Sequence, residues 1–139
     1  MILLETSGLI AAIIESEQHH HRCAEVLANA EPPLILSPFV LAEADYLIHK
    51  YATVEDALNL LEDVARHSYE LVVFTADEIG SARELMAKYR SLRIGLADAS
   101  IAVLAAKYDF YDVLTLDERH FRAMRPAPRK SFRVLPRDA

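Results

Sequence analysis

Apolar residues along this chain come in two alternating textures, short unbroken runs and longer periodic stretches. MILLE, LILS, ELVVF and DVLTL are unbroken runs without polar alternation, the texture of strands buried on both faces, and FRVL offers a fifth. Helical spacing fills the intervals between them. Ser7 stands as the N-cap of a helix through Ile14, and EQHHHRCAEVLANA supplies a second that the EPP triplet breaks. Pro38 opens PFVLAEADYLIHKY, with Val40, Leu41, Ala44, Leu47, Ile48 and Tyr51 on one face. Thr53 caps TVEDALNLLEDVARH, Asp77 begins a helix to about Tyr89, and IGLADASIAVLAAKY gives one more. Strands that alternate with helices predict an α/β fold: three layers, α/β/α, around a mostly parallel sheet of four to five strands.

Composition narrows the class. A chain of 139 residues is expected to form one domain, 1–139, with a single substantial core. Its 53% hydrophobic and 26% charged residues exclude a disordered chain, and no apolar run reaches the ~20 residues of a bilayer span. Met1 leads directly into the first strand without a charged leader, and Cys23 has no second cysteine to pair with. Both favour a cytoplasmic setting. Three glycines are too few for a phosphate-cradling loop. The net charge of −6 is unevenly spread: residues 1–118 carry −12, whereas the segment 119–137 carries +7 and no acid. That basic segment reads equally as a solvated tail or as a strip facing phosphate or a partner. His19, His20 and His21 read as a surface run, because consecutive helical residues cannot face one ion.

Four acids stand where an open parallel sheet gathers its ligands. Glu5 ends the first strand, Asp117 follows DVLTL, and Asp98 sits in the first turn of its helix, where the dipole favours an anion. Glu43 falls beside the apolar stripe of its helix. Singly, each has an ordinary explanation as a cap, turn former or solvated side chain. Brought to one place, they would repel unless a cation held them, and hard oxygen donors suit Mg²⁺ or Mn²⁺.

ETSGLIAAI, LAEADYL, GLADASIAVLA and LTLDERHF, in that order, resemble the four acidic motifs of the PIN domain, and most closely those of VapC-type ribonuclease toxins. The resemblance runs from Met1 to about Phe121. It implies a Mg²⁺- or Mn²⁺-dependent endoribonuclease, with one or two ions held by Glu5, Glu43, Asp98 and Asp117 and hydroxyl support from Thr6 or Ser7 and from Thr115. It also implies a homodimer and a cognate antitoxin. RNA would be steered by basic side chains, with Arg83, Lys88, Arg90, Arg93, Arg119 and Arg122 as candidates. The helices over 38–51 and 53–67 would offer an apolar groove to an antitoxin helix.

The first acid of this family is ordinarily aspartate, and here it is Glu5. A carboxylate displaced by about 1 Å can lose on the order of a hundredfold in rate. A slow enzyme, a natural variant with shifted metal geometry and an engineered attenuation all remain open, as does a binding module that has lost its chemistry. A phosphoacceptor receiver fits poorly, since the chain lacks its acceptor aspartate at ELVVF and its late lysine.

Overall fold

The computed structural model describes residues 1–139. Five parallel strands form one sheet: β1 (Ile2–Leu4), β2 (Leu34–Leu36), β3 (Glu70–Leu71), β4 (Asp112–Leu114) and β5 (Arg133–Leu135), in the order β3-β2-β1-β4-β5. Seven helices connect them: α1 (Thr6–Ile13), α2 (His20–Asn29), α3 (Pro38–Tyr51), α4 (Val54–Ala65), α5 (Ala76–Lys88), α6 (Leu96–Tyr108) and α7 (Glu118–Ala123). Successive strand residues point to opposite faces, and Ile2, Leu3 and Leu4 of β1 are all buried, so helices cover the sheet on both sides.

Register and order together position the site. Leu4 pairs with Leu36 on one side and Leu114 on the other, so Glu5, Ser37 and Thr115 leave the sheet side by side. The chain winds outward from β1 through β2 and β3, then returns to β4 on the other side of β1. The crevice beyond the carboxyl ends of β1 and β4 is therefore the topological switch point. Ser37 closes the gap to α6: its hydroxyl caps Phe39 of α3 and lies 2.7 Å from the buried Ser100 hydroxyl.

Several local features differ from the sequence pattern. The N-cap of α1 is Glu5, whose side chain accepts from the Ser7 backbone N–H, and the helix ends at Ile13. Ser7 lies inside the first turn, because its hydroxyl is taken up by Glu5 and the β4 loop. ELVVF is strand only at Glu70–Leu71. Both residues are exposed on the sheet edge and Val73 is 78% exposed, so this run is not buried on two faces. Thr75 caps α5 through a reciprocal box with Glu78, which starts that helix one residue before Asp77. The basic segment is folded into α7 and β5, with Phe121 and Phe132 in edge-to-face contact, ring centroids 5.1 Å apart. Arg122 pairs with Asp138, Arg133 with Asp112 and Arg137 with Glu118, so three of its cations face acids of the chain itself.

Candidate metal centre

Glu5 is the innermost acid, 5% exposed at the end of the central strand. Its Oε2 accepts from the Ser7 backbone N–H at 2.9 Å, from the Ser7 hydroxyl and from the Thr115 hydroxyl at 2.7 Å. Each hydroxyl also accepts: Ser7 from the Leu116 N–H at 2.9 Å, Thr115 from the Asp117 N–H at 2.9 Å. One carboxylate oxygen thus laces the start of α1 to the loop after β4. Only a glycine permits this approach at position 8, since a Cβ there would lie 2.4 Å from the Leu114 carbonyl oxygen. Burial pushes the Glu5 carboxyl up to about 6, outweighing the hydrogen bonds from Ser7 and Thr115, and the charge of Asp98 adds to the rise. Of the hydroxyls expected at the site, Ser7 and Thr115 reach Glu5, whereas the Thr6 hydroxyl is buried without a partner.

Asp98, Asp117 and His120 form the tighter group. Each offers one ligand atom, and those atoms all lie within 4.8 Å of one another. Asp98 projects from the first turn of α6, and Asp117 caps α7 by accepting from the His120 N–H at 3.3 Å. His120 Nδ1 lies 2.8 Å from Asp98 Oδ2 and 3.1 Å from Asp117 Oδ2. Its Nε2 lies 3.1 Å from the Leu92 carbonyl oxygen, an acceptor only, so Nε2 carries a hydrogen. Burial raises the Asp98 pKa; contact with His120 opposes the shift, and the charges of Asp117 and Glu43 reinforce it.

The four acids read from the sequence therefore meet electrostatically at one end of the sheet, but not equally. Glu5 spends one oxygen on internal hydrogen bonds, and Glu43 is exposed on α3; neither belongs to the close group. His120 was overlooked in the sequence. The available signal was its spacing, three residues after Asp117 in DERH, which returns both side chains to one helical face. Among the basic candidates, Arg93 (φ 53°) and Arg119 are exposed and adjoin Leu92 and His120 in sequence. Arg83 and Arg90 line a groove reaching Leu96, and Lys88 lies over the Tyr89 ring. Arg122 is committed to both carboxylate oxygens of Asp138, at 2.6 and 2.7 Å.

The donor chemistry fits a divalent ion. Carboxylates whose charges raise the Asp98 pKa gain from a cation between them, and oxygen donors suit Mg²⁺ or Mn²⁺ better than a thiol-preferring metal.

Residues 2–125 match the family described as the PIN domain. Ribonuclease VapC26 of Mycobacterium tuberculosis is 38% identical over 97% of this chain and 100% of its own. The crystal structure of M. tuberculosis VapC20, a sarcin–ricin-loop-cleaving toxin, superposes with a TM-score of 0.80 at 18% identity. The match covers 86% of this chain and 92% of that one. VapBC2 from Rickettsia felis, bound to a promoter DNA fragment, superposes at 0.67 with 22% identity over 96% of this chain and 98% of that one. The structural likenesses establish a shared fold; the family match and the VapC26 relative span nearly the whole sequence. The chain belongs to the PIN-domain family, among the VapC-type ribonucleases.

Proposed function

We propose that this chain is a metal-dependent endoribonuclease toxin, silenced by a cognate antitoxin, with Asp98, Asp117, Glu43 and Glu5 as its acidic site. The observation that carries this reading is the convergence of Asp98, Asp117 and His120 at the switch point of a PIN fold. A divalent ion held there supplies Lewis acidity and positive charge at the scissile phosphate. The chain's own residues do the rest. Ser7 and Thr115 fix Glu5, His120 spaces Asp98 from Asp117, and exposed Arg93 and Arg119 attract the phosphate backbone of RNA.

The antitoxin part of the proposal has a surface to match it. An apolar groove of about 220 Å³ between α1 and α3 is lined by Ile10, Ile14, Leu47, Ile48 and Tyr51, and it runs to Ser7 beside the acids. The α3–α4 surface expected from the sequence also stays open to a partner, with Tyr46 and Tyr51 of α3 and Val54, Leu58 and Leu61 of α4 exposed. The fold shared with the VapBC2 assembly supports an antitoxin as the partner of such a groove. A homodimer belongs to the same reading.

The test is cleavage of a panel of structured RNAs by the purified chain with Mg²⁺, with Mn²⁺ and with chelator, its elution volume reporting the dimer. Metal-dependent products with 5′-phosphates, suppressed by the neighbouring gene's product, support the proposal; metal-independent cutting overturns it. The burial of Glu5 and the commitment of its Oε2 to Ser7 and Thr115 favour a second reading, an attenuated enzyme. Glu5→Asp decides between them. A gain in cleavage marks attenuation, and no cleavage by either form marks a binding module.

A further inference from the structure

We infer that His120 is itself a ligand of the divalent ion, through Nδ1, making the site a mixed nitrogen–oxygen centre with Asp98 and Asp117. The inference rests on the metal-dependent reading above and adds to it a residue outside the acidic quartet. Three observations converge on it.

The ring is oriented from behind. A ligating histidine almost always donates its other N–H to a carbonyl or carboxylate, which fixes the tautomer. Here Nε2–H meets the Leu92 carbonyl at 3.1 Å, so in the neutral ring Nδ1 presents its lone pair to the acids.

What Nδ1 faces is a pair of acceptors. Asp98 Oδ2 and Asp117 Oδ2 lie 2.8 and 3.1 Å away. A lone pair opposed by two carboxylate oxygens repels both unless a cation, proton or metal, stands among them. Those separations are also the right size for a metal. Adjacent vertices of an octahedron with bonds of about 2.1 Å are roughly 3 Å apart. The donors therefore already hold the spacing of two edges of one face, with His120 and Asp98 largely shielded from water, at 18% and 13% side-chain exposure.

A nitrogen donor changes which ion is preferred. Mg²⁺ favours oxygen alone, whereas Mn²⁺ accepts imidazole with carboxylates. The chain is therefore expected to bind Mn²⁺ more tightly than Mg²⁺, and His120→Gln to narrow that preference.

The experiment is Mn²⁺ titration of the purified, metal-stripped chain, followed by electron paramagnetic resonance. Loss of the free-ion signal measures affinity, and electron spin-echo modulation detects a ¹⁴N nucleus bonded to the ion. The expected result is a ¹⁴N modulation in the wild type, absent in His120→Gln, with Mn²⁺ affinity lowered tenfold or more. If His120→Gln fails to fold, Asp98→Asn must remove the same nitrogen signal, which a surface imidazole at His19 or His21 would retain. Bound Mn²⁺ without nitrogen coupling, at an affinity His120→Gln leaves unchanged, overturns the inference while the acidic metal site stands. Failure to bind Mn²⁺ at all overturns both.

Discussion

The two ends of the sheet handle charge in opposite ways. At the amino ends of β1, β4 and β5 lies a groove of about 650 Å³, lined by Arg22, Glu25, Glu31, Asp112 and Arg133 among others. Its charges alternate in sign, and Arg133 meets Asp112 at 3.0 Å. At the carboxyl ends, Glu5, Glu43, Asp98 and Asp117 share one region, and the imidazole of His120 is the basic group set directly among them. The amino-end groove is electrostatically settled; the carboxyl-end cluster is not. The proposed chemistry sits where like charges are held together at a cost in burial.

The largest effect should come from removing that concentration of charge. On the proposed reading, Asp98→Asn or Asp117→Asn is expected to lower RNA cleavage on the order of a hundredfold or more, since each would take away a donor to the ion. Thermal unfolding of the metal-free protein should hold or rise in Asp98→Asn, because a partly buried carboxylate and its repulsion from Asp117 and Glu43 are both removed. Activity lost together with the fold would mean that Asp98 is structural, and the contrast between the two ends would collapse.

Gly8→Ala attacks the carboxyl end through its backbone. The new methyl would sit 2.4 Å from the Leu114 carbonyl oxygen and 2.6 Å from its carbon, so α1 and the end of β4 must part. A loss of about 1–3 kcal/mol in denaturant unfolding is expected. Cleavage should fall with it, since the Glu5–Ser7–Thr115 lacing spans the same gap.

Glu5→Gln tests the charge alone. The folded carboxyl titrates near 6 against an ordinary 4.5, so between those values the folded state binds more protons than the unfolded one. Stability contributed by Glu5 is therefore present below about 4.5 and lost as pH rises through 6. The glutamine variant keeps an acceptor for Ser7 and Thr115 without that loss. It should be more stable than the wild type by up to about 2 kcal/mol at pH 7 in chelator, with the difference fading toward pH 4.5. Chemical denaturation across that range measures it, and a flat difference would show that burial does not disfavour the Glu5 charge.

How far the sequence revealed this molecule depended on the range of the interaction concerned. α3 was legible to the residue and α4 at its start, because Pro38 and Thr53 are local start signals and the apolar period is clear; α4 ends at Ala65, short of the expected 67. Edge status was not. ELVVF looks like LILS in one dimension, yet β3 has a neighbour only on β2, and its side chains stay in water. The convergence of acids could be argued from strand ends, since parallel strands share a carboxyl edge. Their inequality could not, because it depends on Thr115, 110 residues along the chain, joining the neighbouring Ser7 in capturing Glu5. His120 was hidden for a related reason. α7 has six residues, too few to show a period, and the role of its histidine appears only when Asp98, from α6, arrives beside it.

The smallest effect is expected at the other end of the sheet, and it makes the contrast quantitative. Arg133→Ala removes a cation from the amino-end groove and leaves Asp112 without its partner. Both side chains are partly in water, at 53% and 28% exposure, so solvent replaces most of what the pair supplies. The cost in unfolding should be about 0.2–1 kcal/mol, and Mn²⁺ affinity and RNA cleavage should stay within twofold of the wild type. Equal sensitivity at the two ends would mean that the amino-end groove also takes part in function, through RNA or a partner. A null result there, beside a hundredfold loss from Asp98→Asn, would place the chemistry where like charges are forced together and leave the interleaved charges to hold the fold's edge.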